Sequence, residues 1–411
     1  MSDLASFEDL YRDLHAHPEL GFREHRTAAV AAEWMRRLGL TVTEGIGGTG
    51  VAAVLENGAG PVVWLRADMD ALPVEEKTGL EYASAESAVD ADGTMTPLMH
   101  ACGHDMHVTW LIGAVERLAM DRAGWSGTVV AVFQPAEETM VGAKTMIADG
   151  LLDRVPRPSI VLGQHVAPFP AGVISLTSGA AMAGVDDVTV VLHGRGGHGS
   201  RPETTIDPVL AAATTVVRLQ SIVSREVTPG KLAVLTVGRL HAGSKSNIIP
   251  NEATLDINIR TIDPEIRDRV LGSVRRIVEG ESVASGMTTP PTISMNLSAP
   301  ATVNSLEHTE KLRERFVQQW GDAIIDYGTV SGSEDVGLLA AAADAPLVFW
   351  ITGGSDPATV LAAQAAGRFE QDIPSNHSPY FAPILHPTIE RGIDALVVGA
   401  RTFLDAVSGS R

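Results

Sequence analysis

The chain has 411 residues, a length that suits two or three domains, each with a sizeable core. Apolar residues make up 45% of it and charged residues 20%, an ordinary globular balance that argues against disorder. Against 50 Asp and Glu stand only 31 Lys and Arg, and a net charge of -19 repels phosphate backbones and anionic lipid, disfavouring nucleic-acid and membrane-surface roles.

The N-terminus, MSDLASFEDLYRDLHAHPEL, is acidic and helix-like where a signal peptide would be basic and then apolar, and no later run reaches membrane-spanning length. These features predict a soluble, cytoplasmic protein. Short β-branched runs follow at GVAAVLE (50–56), PVVWLRA (61–67), GTVVAVF (127–133) and SIVLGQH (159–165). Between them Val108, Leu111, Ile112, Val115 and Ala119 recur at helical spacing just after Gly103. That alternation predicts α/β crossover units on a mostly parallel sheet.

From 183 to 299 the order changes to strand, helix, two strands, helix, strand, which predicts an inserted α+β domain of ferredoxin-like βαββαβ type. The α/β pattern resumes at PLVFWITGG (346–354) and ends in a helical stretch over about 387–407. Residues 1–182 and 300–411 are therefore expected to form one discontinuous domain.

Several acids and histidines fall just after predicted strands: Asp68 and Asp70, the pair Glu137 and Glu138, and His165. In open α/β sheets the ligand crevice lies beyond the carboxyl ends of the strands, so these positions converge there. The stretch MHACGHDMH (99–107) adds the single cysteine, Cys102, with His100, His104 and His107. One cysteine makes no intrachain disulfide and no multi-thiolate structural zinc site, so any metal here needs His, Asp or Glu as further ligands. Cys102, His104, one of the two glutamates and His165 could hold a metal, the other glutamate serving as base. A catalytic Cys102 thiolate is the rival chemistry, and it leaves the acids after the other strands unexplained. Taken singly, each residue is more simply a hydrogen-bonded core or solvated surface group.

GRGGHG (194–199) matches the dinucleotide fingerprint literally, but it lies in the insert, and Pro202 with TTIDP separates it from its helix. It reads as a turn presenting His198.

The set RADMDALP (66–73), MHACGHDMH, FQPAEE (133–138), GQH (163–165), GRGGHGSRP (194–202), NIIP (247–250), SED (333–335) and NHSP (376–379) resembles the metal-dependent amidohydrolases of the aminoacylase, hippurate hydrolase and indoleacetyl-amino-acid hydrolase type. The resemblance implies two divalent metal ions, from Zn, Mn, Co or Ni, held by Cys102, His104, Glu138, His165 and His377, with Cys102 bridging. It implies Glu137 as general base and proton donor and Asp70 as an orienting residue. Asp68 stays outside the ligand set, and His100 and His107 are supporting residues.

The insert resembles a lid and dimerisation domain, which implies a homodimer or higher homo-oligomer. Within it His198 would polarise the scissile carbonyl, within the chain or across the dimer, and Asn247 and Arg260 would bind the substrate carboxylate. An exposed strand arginine in a surface salt bridge is the plain alternative for Arg260. Glu203 stands where many relatives carry histidine. The activity implied is hydrolysis of an N-acyl amino acid by a metal-activated water; a dipeptidase or carboxypeptidase on the same centre is the alternative, and a catalytically silent metal-binding protein a further one.

Overall fold

The computed structural model describes residues 4–89 and 93–405, with side chains from residue 6 onward. The chain divides into two compact units. One comprises the residues up to Ala181, Val303–Thr329 and those from Asp335 on; the other is Met182–Thr302 with Val330–Glu334.

The larger unit is built on an eight-stranded, mostly parallel sheet. Its order is Thr41–Ile46, Gly50–Asn57, Gly127–Gln134, Val62–Asp68, Ile160–Pro170, Leu347–Ser355, Ile174–Ser175, Ile324–Ile325. Strands three to six of that order run parallel and are rich in Val, Ile, Phe and Trp that are buried almost throughout. Such runs suit strands covered on both faces by helices, where no solvent face calls for alternating polar residues. The first two strands depart from the crossover pattern: a tight turn at Gly47 and Gly48 joins them as a hairpin, and Gly50–Asn57 lies antiparallel to Gly127–Gln134.

The helix expected after Gly103 is His104–Met120, and it is buried on nearly every side instead of being amphipathic. The sheet and the helix Thr388–Phe403 both pack against it. That last helix ends at Phe403, short of the predicted 407, and residues 406 and 407 lie outside the described residues.

In the smaller unit the elements run Gly184–His193, Pro208–Arg225, Ala233–Ala242, Glu252–Thr261, Pro264–Ala284 and Thr292–Ala299. The four strands form one antiparallel sheet, ordered Ala233–Ala242, Glu252–Thr261, Gly184–His193, Thr292–Ala299. Glu252–Thr261 alternates buried and half-buried residues along its length, since one face rests on the helices and the other does not. Both helices start on the same device, an aspartate cap followed by proline: Asp207 accepts the Val209 N–H, and Asp263 accepts those of Glu265 and Ile266.

No helix of the described residues is long and apolar enough to cross a membrane.

Candidate metal centre

Two of the predicted ligands flank Gly103, which has φ of 81° and stands at the start of the His104–Met120 helix. A Cβ at Gly103 would lie 2.4 Å from Val166 Cγ1, so backbone conformation and close packing both call for glycine there. The reversal it makes turns Cys102 and His104 toward one centre. Asp68 ends the Val62–Asp68 strand, Asp70 lies two residues on, and Glu137 and Glu138 sit in the turn after Gly127–Gln134. His165 is a mid-strand residue, because pairing with Leu347–Ser355 carries its strand on to Pro170.

His377 comes from an irregular segment near the C-terminal end, with φ of 69°. Its N–H donates to the Ala101 carbonyl at 2.8 Å, which fastens that segment beside Cys102. Asn376, to which sequence reasoning assigned no role, donates through Nδ2 to the carbonyls of Cys102 (3.2 Å) and Val166 (3.1 Å).

Among the described residues five groups of donor atoms each lie within 4.8 Å of one another, and two of these groups are triads that share one sulfur. Cys102, His104 and His165 form one, and Cys102, Glu138 and His377 the other. The remaining three are Asp68, His104 and His107, then His104, Glu137 and Glu138, then Glu137, Glu334 and Asp335. Cys102 Sγ is 3.4 Å from His165 Nε2, and His377 Nε2 is 3.3 Å from Glu138 Oε1. Glu137 and Glu138 both bring a carboxylate oxygen to 3.9 Å from His104 Nε2.

Of these atoms His104 Nε2 is buried without a hydrogen-bond partner, and buried Glu138 Oε1 has only the ion-pair contact with His377. A buried donor or acceptor left unpaired costs free energy, and a cation between them would satisfy both. Sulfur, imidazole and carboxylate together suit borderline divalent metals, so the donor set fits the group the sequence implies.

Hydrogen bonds around the cluster set ligand orientation. Asp70 Oδ1 lies 3.3 Å from His104 Nδ1, while its Oδ2 accepts the Glu138 N–H at 2.9 Å. His165 donates through Nδ1 to the Val166 carbonyl at 2.7 Å, leaving Nε2 toward Cys102. Asp68 is paired with buried Arg66 at 2.7 Å and with His107. Arg66 in turn lies 3.4 Å from Asp335 of the SED stretch, whose carboxylate also accepts from Gln134 and the Ala143 N–H.

Charge and burial compete at each group. Burial raises the Cys102 thiol well above its ordinary value, and the Glu138, Glu137 and Asp68 carboxylates push the same way. A nucleophilic cysteine calls for the opposite environment, so these surroundings disfavour the catalytic-thiol reading. Burial pulls His104 down, but Asp68, Asp70 and Glu138 more than offset this and hold it at about 10. His165 goes the other way, driven well below its usual range by burial and by neighbouring His107 and His104. Burial disfavours the Asp68 carboxylate, yet Arg66, His104 and His107 keep it ionised.

The remaining predicted residues belong to the smaller unit. Gly197–His198 pairs with Ile248–Ile249, and the Gly199 N–H donates to the Asn247 carbonyl at 2.8 Å, so His198 and Asn247 are neighbours. The glycines of GRGGHG allow close backbone approach: a Cβ at Gly194 would lie 2.4 Å from the Ile206 carbonyl oxygen, and one at Gly196 2.5 Å from that of Ile249. Exposed His198 accepts the Ser200 N–H at Nδ1 (3.1 Å), which places its own proton on Nε2. Arg260 is half-buried and donates to Ser333 Oγ (2.6 Å) and Asn258 Oδ1 (3.0 Å), a different arrangement from the exposed salt bridge weighed for it. Glu203 is exposed and pairs with Arg201.

A model of peptidase family M20/M25/M40 matches residues 64–374. The chain is 39% identical over 337 residues to hippurate hydrolase of Campylobacter jejuni, covering 81% of this chain and 84% of that one. It is 35% identical over 343 residues to thermostable carboxypeptidase 1 of Saccharolobus solfataricus, with coverage of 81% and 84%. A crystal structure of a dinuclear metal-binding Bacillus subtilis peptidase of the same family is similar along 97% of this chain and 98% of that one, at 28% identity and a TM-score of 0.75.

Proposed function

Because the chain belongs to peptidase family M20/M25/M40 and is an amidohydrolase, we propose that it cleaves the amide bond of N-acyl amino acids, releasing a carboxylic acid and a free amino acid. The observation that carries this reading is the pair of donor triads sharing Cys102 Sγ with Glu137 beside them. Cys102, His104, Glu138, His165 and His377 would hold two divalent ions, from Zn, Mn, Co or Ni, Cys102 being common to both groups of donors. Bound there, the ions would polarise the acyl carbonyl and make water acidic enough to attack it near neutral pH.

The chain's own residues do the rest. Glu137 takes the proton of the attacking water and later returns it to the leaving amine. Asp70 keeps His104 and the Glu138 main chain in register. His198 donates its Nε2 proton to the developing oxyanion, within the chain or from a partner subunit, and the tautomer set by Ser200 supports this role. Asn247 and Arg260 receive the substrate carboxylate.

The domain reading proposed with it is a discontinuous catalytic domain, 1–182 and 300–411, and a ferredoxin-like lid and dimerisation domain, 183–299, in a cytoplasmic homodimer or higher homo-oligomer. The order of the four strands in the smaller unit supports the ferredoxin-like part. A second reading, carboxypeptidase or dipeptidase, is favoured by similarity to the Saccharolobus enzyme. One experiment separates them: release of free amino acid from acetyl- and benzoyl-amino acids and from dipeptides, with metal content measured in the same preparation. Faster turnover of dipeptides would replace the first reading by the second, and a metal-loaded preparation inactive on both sets would refute each.

A further inference from the structure

The turn carrying Glu137 and Glu138 is held in an unfavourable backbone conformation. Ala136, the residue before them, is fully buried and has φ of 50°, a left-handed value that costs a non-glycine residue energy and persists only where the surroundings impose it. The Ala136 carbonyl accepts the Gly142 N–H at 3.2 Å and the Thr139 hydroxyl at 2.9 Å, and on its amide side the restraint comes from Glu24. Its Oε1 accepts the Ala136 N–H at 2.8 Å, and its Oε2 accepts the Thr49 hydroxyl.

Glu24 is itself fully buried and stands where the His25–Arg37 helix begins, with its carbonyl accepting the Ala28 N–H at 2.9 Å. Two residues beyond Ala136, the Glu138 N–H goes to Asp70. The two amides that bracket Glu137 therefore end on two separate buried carboxylates. Burial, reinforced by Asp70, lifts the Glu24 carboxyl to about 7, so this acid is a costly way of filling space. An apolar side chain of similar size would avoid that cost but could not accept the amide.

We infer that Glu24 is a positioning residue for the reaction: by fixing the Ala136 amide it sets the directions in which Glu137 and Glu138 leave the turn, and so keeps the base and the ligand in separate roles. This rests on the roles proposed above for Glu137 and Glu138. Losing the acceptor lets the turn relax toward ordinary φ, which rotates both carboxylates while leaving Cys102, His104 and His165 in place.

The test uses the full-length enzyme stripped of metal and titrated with Co(II) by calorimetry and visible absorption, together with steady-state kinetics. Wild type should take up two equivalents. Glu24→Leu should weaken one equivalent by about 10 to 100-fold and lower kcat at least about tenfold with KM nearly unchanged. Glu24→Gln keeps a carbonyl for the Ala136 amide and should retain both equivalents and most of kcat. Should Glu24→Leu fail to fold, Thr49→Val frees only Oε2 and should give a smaller loss in the same equivalent. The inference is overturned if Glu24→Leu, or in its place Thr49→Val, binds both equivalents as tightly as wild type, or if Glu24→Gln loses as much as Glu24→Leu. A wild type that takes up fewer than two equivalents would overturn the two-metal reading itself, and this inference with it.

Discussion

His107 holds the main chain of Val166: its Nε2 accepts the Val166 N–H at 2.8 Å, while its Nδ1 faces the Asp68 carboxylate. An imidazole nitrogen that accepts an amide proton carries none of its own, so His107 is the neutral tautomer with the proton on Nδ1. Burial, which lowers its basicity, works in the same direction. Val166 follows His165, whose Nδ1 donates to the Val166 carbonyl, so Asp68, His107 and the Val166 peptide form a path that fixes the His165 ring. His107→Phe fills much of the same space but leaves the Asp68 carboxylate and the Val166 N–H without this partner. We expect metal affinity to fall about 10 to 100-fold, read by competition with a chromophoric chelator, with substrate KM little affected. An unchanged affinity would mean that His165 is positioned by strand pairing alone.

Glu137→Gln tests the base without disturbing the ligands. The amide preserves the size of the side chain but takes up no proton, so kcat should fall about 10² to 10⁴-fold. Metal content by elemental analysis should match wild type, since Glu137 is assigned no ligand role. Near wild-type turnover would transfer the proton-handling role to another group.

Part of the centre was legible in residue types: Cys102, His104, the Glu137 and Glu138 pair and His165 stand out in the chain, whereas His377 and the full ligand set came from the family resemblance. The structure draws the donor atoms of Cys102, His104, Glu138, His165 and His377 together. Glu24 and the His107 path left no comparable mark. Each acts through a backbone amide far along the chain, Ala136 for one and Val166 for the other, and every residue carries such an amide, so no local pattern records the pairing. Asn376 lies within NHSP, yet its amide serves two carbonyls and so resembles any loop asparagine. The central strands were readable from their apolar runs. The antiparallel Thr41–Ile46 and Gly50–Asn57 hairpin was not, because direction depends on the turn that joins two strands.

A buried clamp links the Leu4–Ala16 helix to the helix bearing His104, and it predicts a pH dependence. His15 Nδ1 meets Asp105 at 2.6 Å and Nε2 meets Glu76 at 3.1 Å, with Tyr11 and Tyr82 against its ring. Burial lowers its basicity, but the bonds to Asp105 and Glu76 outweigh this and raise its pKa from 6.5 to about 9. Tyr11 and Tyr82 are shifted upward chiefly by burial, and nearby His100 is held down at about 4, again by burial, so none of the three changes charge between 6.5 and 9. A group whose folded pKa is raised contributes stability that is complete below its unfolded value and is lost as pH rises through the folded one. The thermal midpoint should therefore decline from pH 6.5 to about 9, the loss amounting to at most about 3 kcal/mol. In His15→Gln the protein should be less stable at pH 6.5 and its midpoint should fall less steeply over this window, the remaining slope coming from His104, held at about 10, and Glu24, lifted to about 7. An equal slope in both proteins would place the titrating group elsewhere.

The contact between Gly392 and Trp110 makes the packing of the two long helices beside the sheet unusually intolerant. A Cβ on Gly392 would lie between 2.1 and 2.3 Å from three atoms of the Trp110 indole, which is itself fixed by its Nε1 donating to the Thr388 carbonyl at 2.9 Å. Trp110 also stacks on His107, with ring centroids 5.5 Å apart, so the indole has the His104–Met120 helix behind it and little room to turn. Gly392→Ala must therefore separate the two helices or displace the indole, and overpacking of this kind typically costs about 1 to 3 kcal/mol. Alanine favours the helical state over glycine by only about 1 kcal/mol, so the clash should win and the thermal midpoint should fall by a few degrees. Displacement of the indole would also disturb His107, and through it His165, so the variant should bind metal more weakly even at temperatures where it is fully folded. Differential scanning calorimetry together with a metal titration at 25 °C reads both effects; a midpoint raised by the substitution would show that the helices separate freely and that the close contact does not constrain them.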